Sequence, residues 1–262
     1  MRRLRPETVL AVRAARAAGR ILLAEFGHVR RVWQKGPRDL VTSADVAAER
    51  CISRMLAAGG STIGFLGEEG GWRGSAAGDY WIVDPLDGTT SFVQGLPTFA
   101  VCVALRRQGQ VETGVILLPR LGELFVAERG RGAFLNGRRI HVSRTARLRE
   151  AVLILWHDRS VWRDRGLRER LARLAAAARG VRSEGAGFSL AYVAAGRIDA
   201  YWEQSAAPWD MAAGALLVAE AGGRVTDGGG QPLRLTQKTI VASNGRLHRR
   251  VLGYLRPPGG DR

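Results

Sequence analysis

Acidic residues in three stretches stand where an apolar run ends or a helix begins. WIVDPLDGTTSFVQGLP (Trp81–Pro97) places Asp84 and Asp87 behind a short apolar run. GEE, residues 67 to 69, places Glu68 and Glu69 behind another, and PWDMAAGALLVAEAGG places Asp210 in the first turn of an apolar helix. Carboxylates this close repel one another, and burial sharpens the conflict. A divalent cation resolves it. Mg²⁺ takes hard oxygen ligands and couples a few carboxylates to the phosphate oxygens of a substrate. Three such clusters converging on a metal pair would suit phosphoryl transfer, with one metal activating water and the other stabilising the leaving oxygen. Around the aspartates, Pro85 restricts Asp84 to extended backbone and turns the chain sharply. Gly88 opens a conformation closed to other residues, and Thr89 and Thr90 start a helix with free N–H groups. Each cluster also has a plain reading: a solvated Asp-Pro turn with a cap, a charged loop, or an aspartate serving a helix dipole. Trp209 and Met211 around Asp210 speak for burial, where an isolated carboxylate needs a cation or donors.

The elements that must position these residues follow from periodicity. Residues 5 to 26 read as a first helix, with Val9, Val12, Ala15, Ala18 and Leu22 at helical spacing. DLVTSADVAAERCISRMLAAGG gives a loop and a second helix, capped by Ser43 and stopped by Gly59 and Gly60. TIGFLGEE and YWIVD are strands that deliver Glu68 and Asp84 at their ends. From Thr98 to Val142 the runs FAVCVALRRQG, VETGVILLP and GELFVAERG form an antiparallel meander, and Asn136-Gly137 marks a hairpin. Beyond residue 150, strands AVLILW, IDAYWE and TIVAS alternate with helices at Trp162 to Ala178, FSLAYVAAG, PWDMAAGALLVAEAGG and GRLHRRVLGYL. The pattern predicts a single domain over residues 5–256. It divides into 5–145, helices plus an antiparallel sheet, and 146–256, a smaller α/β unit, an α+β and α/β mixture. Pro257 and Pro258 read as a frayed tail.

In this order, GEE, WIVDPLDGTTSFVQGLPTFAV and WDMAAGALLVAEAGG resemble the inositol monophosphatase family of Mg²⁺-dependent, commonly lithium-sensitive sugar phosphatases. DLVTSADVAAE and RSEGAGFSLAYVAAGRIDAYWE resemble its two other blocks, so the likeness spans nearly the whole chain. It implies a layered αβαβα sandwich of the sugar-phosphatase type and a homodimer. It also implies two or three Mg²⁺ ions and hydrolysis of a phosphorylated polyol, inositol 1-phosphate foremost, in inositol metabolism. Glu68, Asp84 and the carbonyl of Leu86 would hold a first metal beside the attacking water. Asp84, Asp87 and Asp210 would hold a second near the leaving oxygen. Thr89, hydrogen-bonded to Asp45, would position and deprotonate the water. The N–H groups of Gly88 and Thr89 would hold the phosphate. Glu203 and the backbone of Gly185, Ala186 and Gly187 would face the substrate's hydroxyls. Lys35 and Glu69 would border a third metal site. Asp45 as a simple cap and Glu203 as a strand-end acid are the plain alternatives.

Ser91 stands where the family usually has Asn, and Glu184 puts an acid in the substrate-facing segment. Relatives on this scaffold take histidinol phosphate, fructose 1,6-bisphosphate or 3′-phosphoadenosine 5′-phosphate. Residues 182 to 185 resemble neither the tryptophan-bearing segment of the first of these nor the Gly-Ser-Ser-Leu-Lys pattern of the last.

Composition sets the outer bounds. The 262 residues are 46% hydrophobic and 24% charged, as in a globular protein, and no apolar run is long enough to cross a bilayer. The Arg-rich N-terminus carries Glu7 and Glu25 and lacks a cleavage site, so it reads as a helix and not a targeting peptide. Cys51 and Cys102 read as buried free thiols in a reducing cytoplasm, and the histidines 28, 141, 157 and 248 as surface residues. The net charge of +16 invites nucleic acid. The arginines are scattered, however, and lysine occurs only at Lys35 and Lys238, so the charge predicts a nonspecific or secondary partner. The reading from a different class is a basic, noncatalytic protein associated with RNA or transcription.

Overall fold

The computed structural model describes residues 3–36, 39–59, 63–74, 78–156 and 160–256. In chain order the first half contains α1 (Pro6–Glu25), β1 (Val32–Gly36), β2 (Asp39–Thr42), α2 (Ser43–Ala57), β3 (Gly64–Gly67), β4 (Gly71–Arg73), β5 (Tyr80–Asp87) and α3 (Thr89–Val93). A meander follows: β6 (Ala100–Arg107), β7 (Gln110–Leu118), β8 (Glu123–Glu128), β9 (Gly132–Leu135) and β10 (Arg138–Arg139). The second half contains β11 (Val152–Trp156), α4 (Ser160–Arg163), α5 (Arg165–Ala177), β12 (Gly180–Arg182), α6 (Ala186–Ala194) and β13 (Ala200–Gln204). It closes with α7 (Pro208–Glu220), β14 (Arg224–Thr226), β15 (Thr239–Ser243) and α8 (His248–Leu255).

Two sheets carry the architecture. The larger runs β10-β9-β8-β7-β6-β5-β3-β4, and the smaller runs β12-β11-β13-β15-β14. Alternation along each strand sorts the side chains into three cores. Trp81, Val83, Val101 and Val103 pack under α1 and α2. Ile82, Cys102 and Ala104 face the opposite way, onto α6 and α7, which also cover Ile154, Tyr201 and Ala242 of the smaller sheet. Leu153, Trp202 and Val241 face outward onto α5 and α8. The layers are therefore helix, sheet, helix, sheet, helix, and α6 with α7 serves both sheets at once. This is the αβαβα sandwich. Among the described residues no helix is long and apolar enough to cross a membrane.

Several local expectations change. The stretch DLVT is not a loop but β2, paired with β1 in a hairpin. Thr42, not Ser43, caps α2: its hydroxyl accepts from the N–H of Ala44 and Asp45, and the Ser43 hydroxyl donates to Glu25 instead. The helix from Trp162 is broken at Asp164, whose carboxylate accepts from the Leu167 N–H at 2.9 Å and starts α5 afresh. At Asn136-Gly137 both residues have positive φ, 48° and 80°, the hairpin geometry the dipeptide promises. Cys102 is buried but Cys51 only half-buried. His28 and His141 are exposed. His248 is not: it is 1% exposed, with Nε2 3.0 Å from the Thr226 hydroxyl and Nδ1 2.9 Å from that of Ser243. His157 and the Pro257-Pro258 tail lie outside the described residues.

Candidate active site

Strand β5 places both aspartates on one side of the larger sheet. Asp84 pairs with Cys102 and Asp87 with Ala100, so three steps of β5 match two of β6. The extra residue is a bulge at Pro85-Leu86. In a regular strand, residues three apart would point to opposite faces. The bulge brings Asp87 back to the side of Asp84, toward α6 and α7, while Leu86 packs beneath α1 and α2. The sharp turn expected at Pro85 is thus a bulge in a strand that runs on to Asp87. The chain turns at Gly88, whose φ of 82° belongs to the left-handed region and whose added Cβ would lie 2.9 Å from the Thr98 carbonyl oxygen. Thr89 then opens α3.

The remaining groups come from neighbouring elements. β3 runs parallel to β5, and the Glu68 N–H donates to the Val83 carbonyl at 3.2 Å, which sets Glu68 beside Asp84. The loop is tied from below by Glu49, 2% exposed, which accepts the Glu69 N–H at 2.8 Å. Lys35 of β1 pairs with Glu69 and lies 3.6 Å from Glu68. Asp210 caps its own helix, accepting the Ala207 N–H at 2.6 Å, and still lines the cavity. Asp45, 1% exposed, does two jobs. One oxygen accepts from the Thr42 N–H at 2.8 Å, completing the cap of α2. The other accepts from the Thr89 hydroxyl at 3.2 Å, and that hydroxyl is also 3.1 Å from the Leu86 carbonyl.

These groups surround a cavity of ≈ 280 Å³. Glu68, Asp84, Asp87, Glu184, Glu203 and Asp210 form its acidic wall. Leu86, Gly88, Thr89, Gly185 and Ala186 line it too, whereas Asp45, Lys35, Glu69 and Gly187 stand behind. The Gly187 N–H donates to Asp87 Oδ2 at 2.9 Å, and that of Ala186 to Oδ1 at 3.2 Å. The start of α6 therefore holds Asp87 in place. A Cβ on Gly187 would meet the Cys102 sulfur at 2.6 Å. Larger hollows, of ≈ 570, ≈ 650 and ≈ 470 Å³, lie elsewhere and gather no comparable carboxylates among the described residues.

Burial, and then the charges of Glu68, Asp87 and Asp210, drive Asp84 well above the usual carboxylate range. Burial lifts Asp210 similarly, with Glu203 next. Burial carries Glu68 to about 7, with Lys35 opposing. Asp87 rises to about 6 by burial, restrained by the N–H groups of Gly187, Phe188 and Ala186. These are carboxylates short of positive charge: among the described residues no Lys or Arg lines the cavity. Among them, too, no three or more acidic, Cys or His side chains are gathered closely enough to hold a metal ion by themselves. Instead, hard oxygen donors face a shared cleft from separate elements. That donor set fits Mg²⁺ bound between protein and substrate.

Sequence reasoning missed Trp156, Ser183 and Leu40 in the walls, Glu49 beneath the loop, and Tyr201, which donates to Glu203. Glu49 follows Asp45 by one helical turn, and Tyr201 precedes Glu203 by two strand positions. Those spacings were the available signals.

The sequence profile of the inositol monophosphatase family matches residues 3–257. The chain belongs to the inositol monophosphatase family. It is 44% identical over 258 residues to the inositol-1-monophosphatase of Rhizobium meliloti, covering 94% of this chain and 95% of the relative. To the Nus factor SuhB of Pseudomonas aeruginosa it is 42% identical over 263 residues, covering 97% of each. The crystal structure of extragenic suppressor protein suhB from Bartonella henselae superposes with a TM-score of 0.91 at 42% identity, covering 95% of this chain and 98% of that one. An inositol monophosphatase is a phosphoric monoester hydrolase, and so is this chain. The family is generally Mg²⁺-dependent and typically lithium-sensitive.

Proposed function

We propose that this phosphatase uses Mg²⁺ to hydrolyse a small polyol or sugar monophosphate, inositol 1-phosphate foremost, as one catalytic domain over residues 5–256 divided between 145 and 146. The charge of the cavity wall carries the substrate class. Six carboxylates line it and, among the described residues, no cation does, in a chain of net charge +16. The reacting phosphate would be balanced by bound Mg²⁺. A second phosphate would face Glu184 and Glu203 with no counter-charge. This favours one phosphate on a neutral, hydroxylated body over fructose 1,6-bisphosphate or 3′-phosphoadenosine 5′-phosphate. Histidinol phosphate is the nearer competitor, because its ammonium suits an acidic wall.

Glu68, Asp84 and the Leu86 carbonyl would hold one Mg²⁺, and Asp84, Asp87 and Asp210 a second, with Lys35 and Glu69 bordering a third. When bound, Mg²⁺ supplies a water of lowered pKa and neutralises charge at the phosphate. The Thr89 hydroxyl takes the proton of the attacking water as it passes its own to Asp45. The N–H groups of Gly88 and Thr89 orient the phosphate. Gly185 and Ala186 flank the polyol while Ala186 and Gly187 keep Asp87 fixed. Glu203 accepts from a substrate hydroxyl. We further propose a cytoplasmic homodimer, which sedimentation would test.

The test is phosphate release from inositol 1-phosphate, histidinol phosphate, fructose 1,6-bisphosphate and 3′-phosphoadenosine 5′-phosphate, with and without Mg²⁺. Inositol 1-phosphate is expected to turn over fastest, and Asp84→Asn and Asp210→Asn to lose at least about a hundredfold. No Mg²⁺-dependent turnover on any of the four would sink the proposal. The noncatalytic reading rests on the net charge of +16 and on the Pseudomonas relative's name. Tight RNA binding at physiological salt, equal in wild type and Asp84→Asn, would favour it.

A further inference from the structure

Strand β13 lies in the middle of the smaller sheet, between β11 and β15. Tyr201 is in register with Ile154 on one side and Ala242 on the other, and Glu203 with Trp156 and Ile240. Both backbones are therefore fixed from two directions. Ala200 and Trp202 face the outer core under α5 and α8. Tyr201 faces the inner core shared with α6 and α7, and Glu203, two positions on, shares that face. Tyr201 is fully buried and Glu203 reaches the cavity. One side chain belongs to the core and the next to the site.

A buried phenol must spend its O–H on a partner inside the protein. For Tyr201 that partner is Glu203 Oε2. The carboxylate needs the contact as much as the phenol does. A glutamate at a strand end rotates freely about its last torsion unless something holds the carboxylate plane. Among the described residues no ion pair holds Glu203, and the Tyr201 hydroxyl is the side-chain donor that reaches it. With Oε2 engaged, the other oxygen is left for the cavity. The larger core thus aims an acceptor at the position where a polyol hydroxyl would sit. The Glu203 neighbour on β11, Trp156, lines the same cavity and stands 39% exposed. The apolar and polar walls for the substrate's body thus come from adjacent positions of one sheet.

We infer that Tyr201 is a positioning residue for polyol recognition: through its hydroxyl it fixes the Glu203 carboxylate that reads a substrate hydroxyl. The inference rests on the proposed contact between Glu203 and the polyol. It concerns the hydroxylated body of the substrate and not the phosphate chemistry, so its signature is selectivity.

The experiment compares kcat/KM on inositol 1-phosphate with kcat/KM on p-nitrophenyl phosphate, an ester with no ring hydroxyls, within each variant. Taking the ratio inside one protein cancels any loss of folded enzyme. Tyr201→Phe keeps the ring that fills the core. It is expected to lower the ratio about five- to tenfold, the size of one charge-assisted hydrogen bond's worth of ordering, with the loss in KM and not in kcat. Combined with Glu203→Ala, it should lower the ratio no further than Glu203→Ala alone. If Glu203→Ala shifts the ratio and Tyr201→Phe does not, the positioning role is wrong and the proposed substrate contact stands. If Glu203→Ala itself leaves the ratio where it was, the contact fails, and the role of Tyr201 fails with it. An equal loss on both esters in Tyr201→Phe, with a lowered melting temperature, would mark the phenol as core packing only.

Discussion

At the scale of single residues, Asp45 and Thr89 separate stability from turnover. Asp45 completes the cap of α2 through Thr42 and also accepts from the Thr89 hydroxyl, so one carboxylate sits in both contacts that its cap and relay readings require. Thr89 has no comparable structural duty. Thr89→Val is expected to lower kcat by about 10²–10⁴, the usual span for a lost proton-transfer group, while leaving the melting temperature within a degree or two. Asp45→Ala should lower kcat similarly and also cost about 1 kcal/mol of stability, as a weakened cap does. Steady-state kinetics and thermal melts on the two variants give the comparison. A large stability loss in Thr89→Val would mean that its hydroxyl serves the fold first.

At the scale of elements, α8 docks through a histidine that its sequence neighbours disguise. GRLHRRVLGYL reads as a helix with His248 at the surface, yet His248 is buried, hydrogen-bonded to Thr226 of β14 and Ser243 of β15. Burial, helped by the charge of Arg224, holds its pKa down to about 4 from 6.5. Between those values the unfolded chain binds a proton that the folded chain refuses, so stability falls as pH drops through that window and is retained above it. Stability attributable to this residue should decline by about 3 kcal/mol from pH 7 to pH 4. Urea melts of wild type and His248→Gln across that range check it, with a flatter profile expected for the variant. Elements that bury one regular face were legible in the sequence: α1, the meander and the alternating second half follow periodicity. What escaped depends on partners that show no pattern of their own in the sequence. β2 is four residues long and has meaning only against β1. His248 is buried by contacts with β15, the element just before it, and with Thr226 of β14. Glu68, Asp84, Asp87 and Asp210 were legible because carboxylates at the ends of apolar runs are costly without a purpose. Tyr201 and Trp156 carry no such anomaly, since aromatic residues in strands are ordinary.

At the scale of the whole molecule, a strongly positive protein surrounds a strongly negative cavity. The long-range field of +16 charges draws a phosphate ester in, and the acidic wall then admits it only in company with cations. Screening by salt should therefore act on capture more than on chemistry. Raising ionic strength from about 0.01 M to 0.15 M, where the Debye length falls from about 30 to 8 Å, is expected to lower kcat/KM for inositol 1-phosphate severalfold at saturating Mg²⁺ and to leave kcat nearly unchanged. Kinetics in a salt series test this. A rise in kcat/KM with salt would mean that the local wall, not the global field, governs approach.

The bulge in β5 makes the site a matter of parity. A strand alternates its side chains like odd and even numbers, and Asp84 and Asp87 have opposite parity. One surplus residue between them cancels the mismatch. The aspartates thus share a side because of the bulge and not because of their spacing. Any substitution at Pro85 or Leu86 that keeps the count preserves the pairing of sides. Deleting either residue would remove the bulge and leave the aspartates two positions apart, still on one side of a now regular strand. What would be lost is the bulge itself, with the Leu86 N–H that donates to Asp84 Oδ1 at 2.9 Å, a lesion that no comparison of the aspartates would reveal.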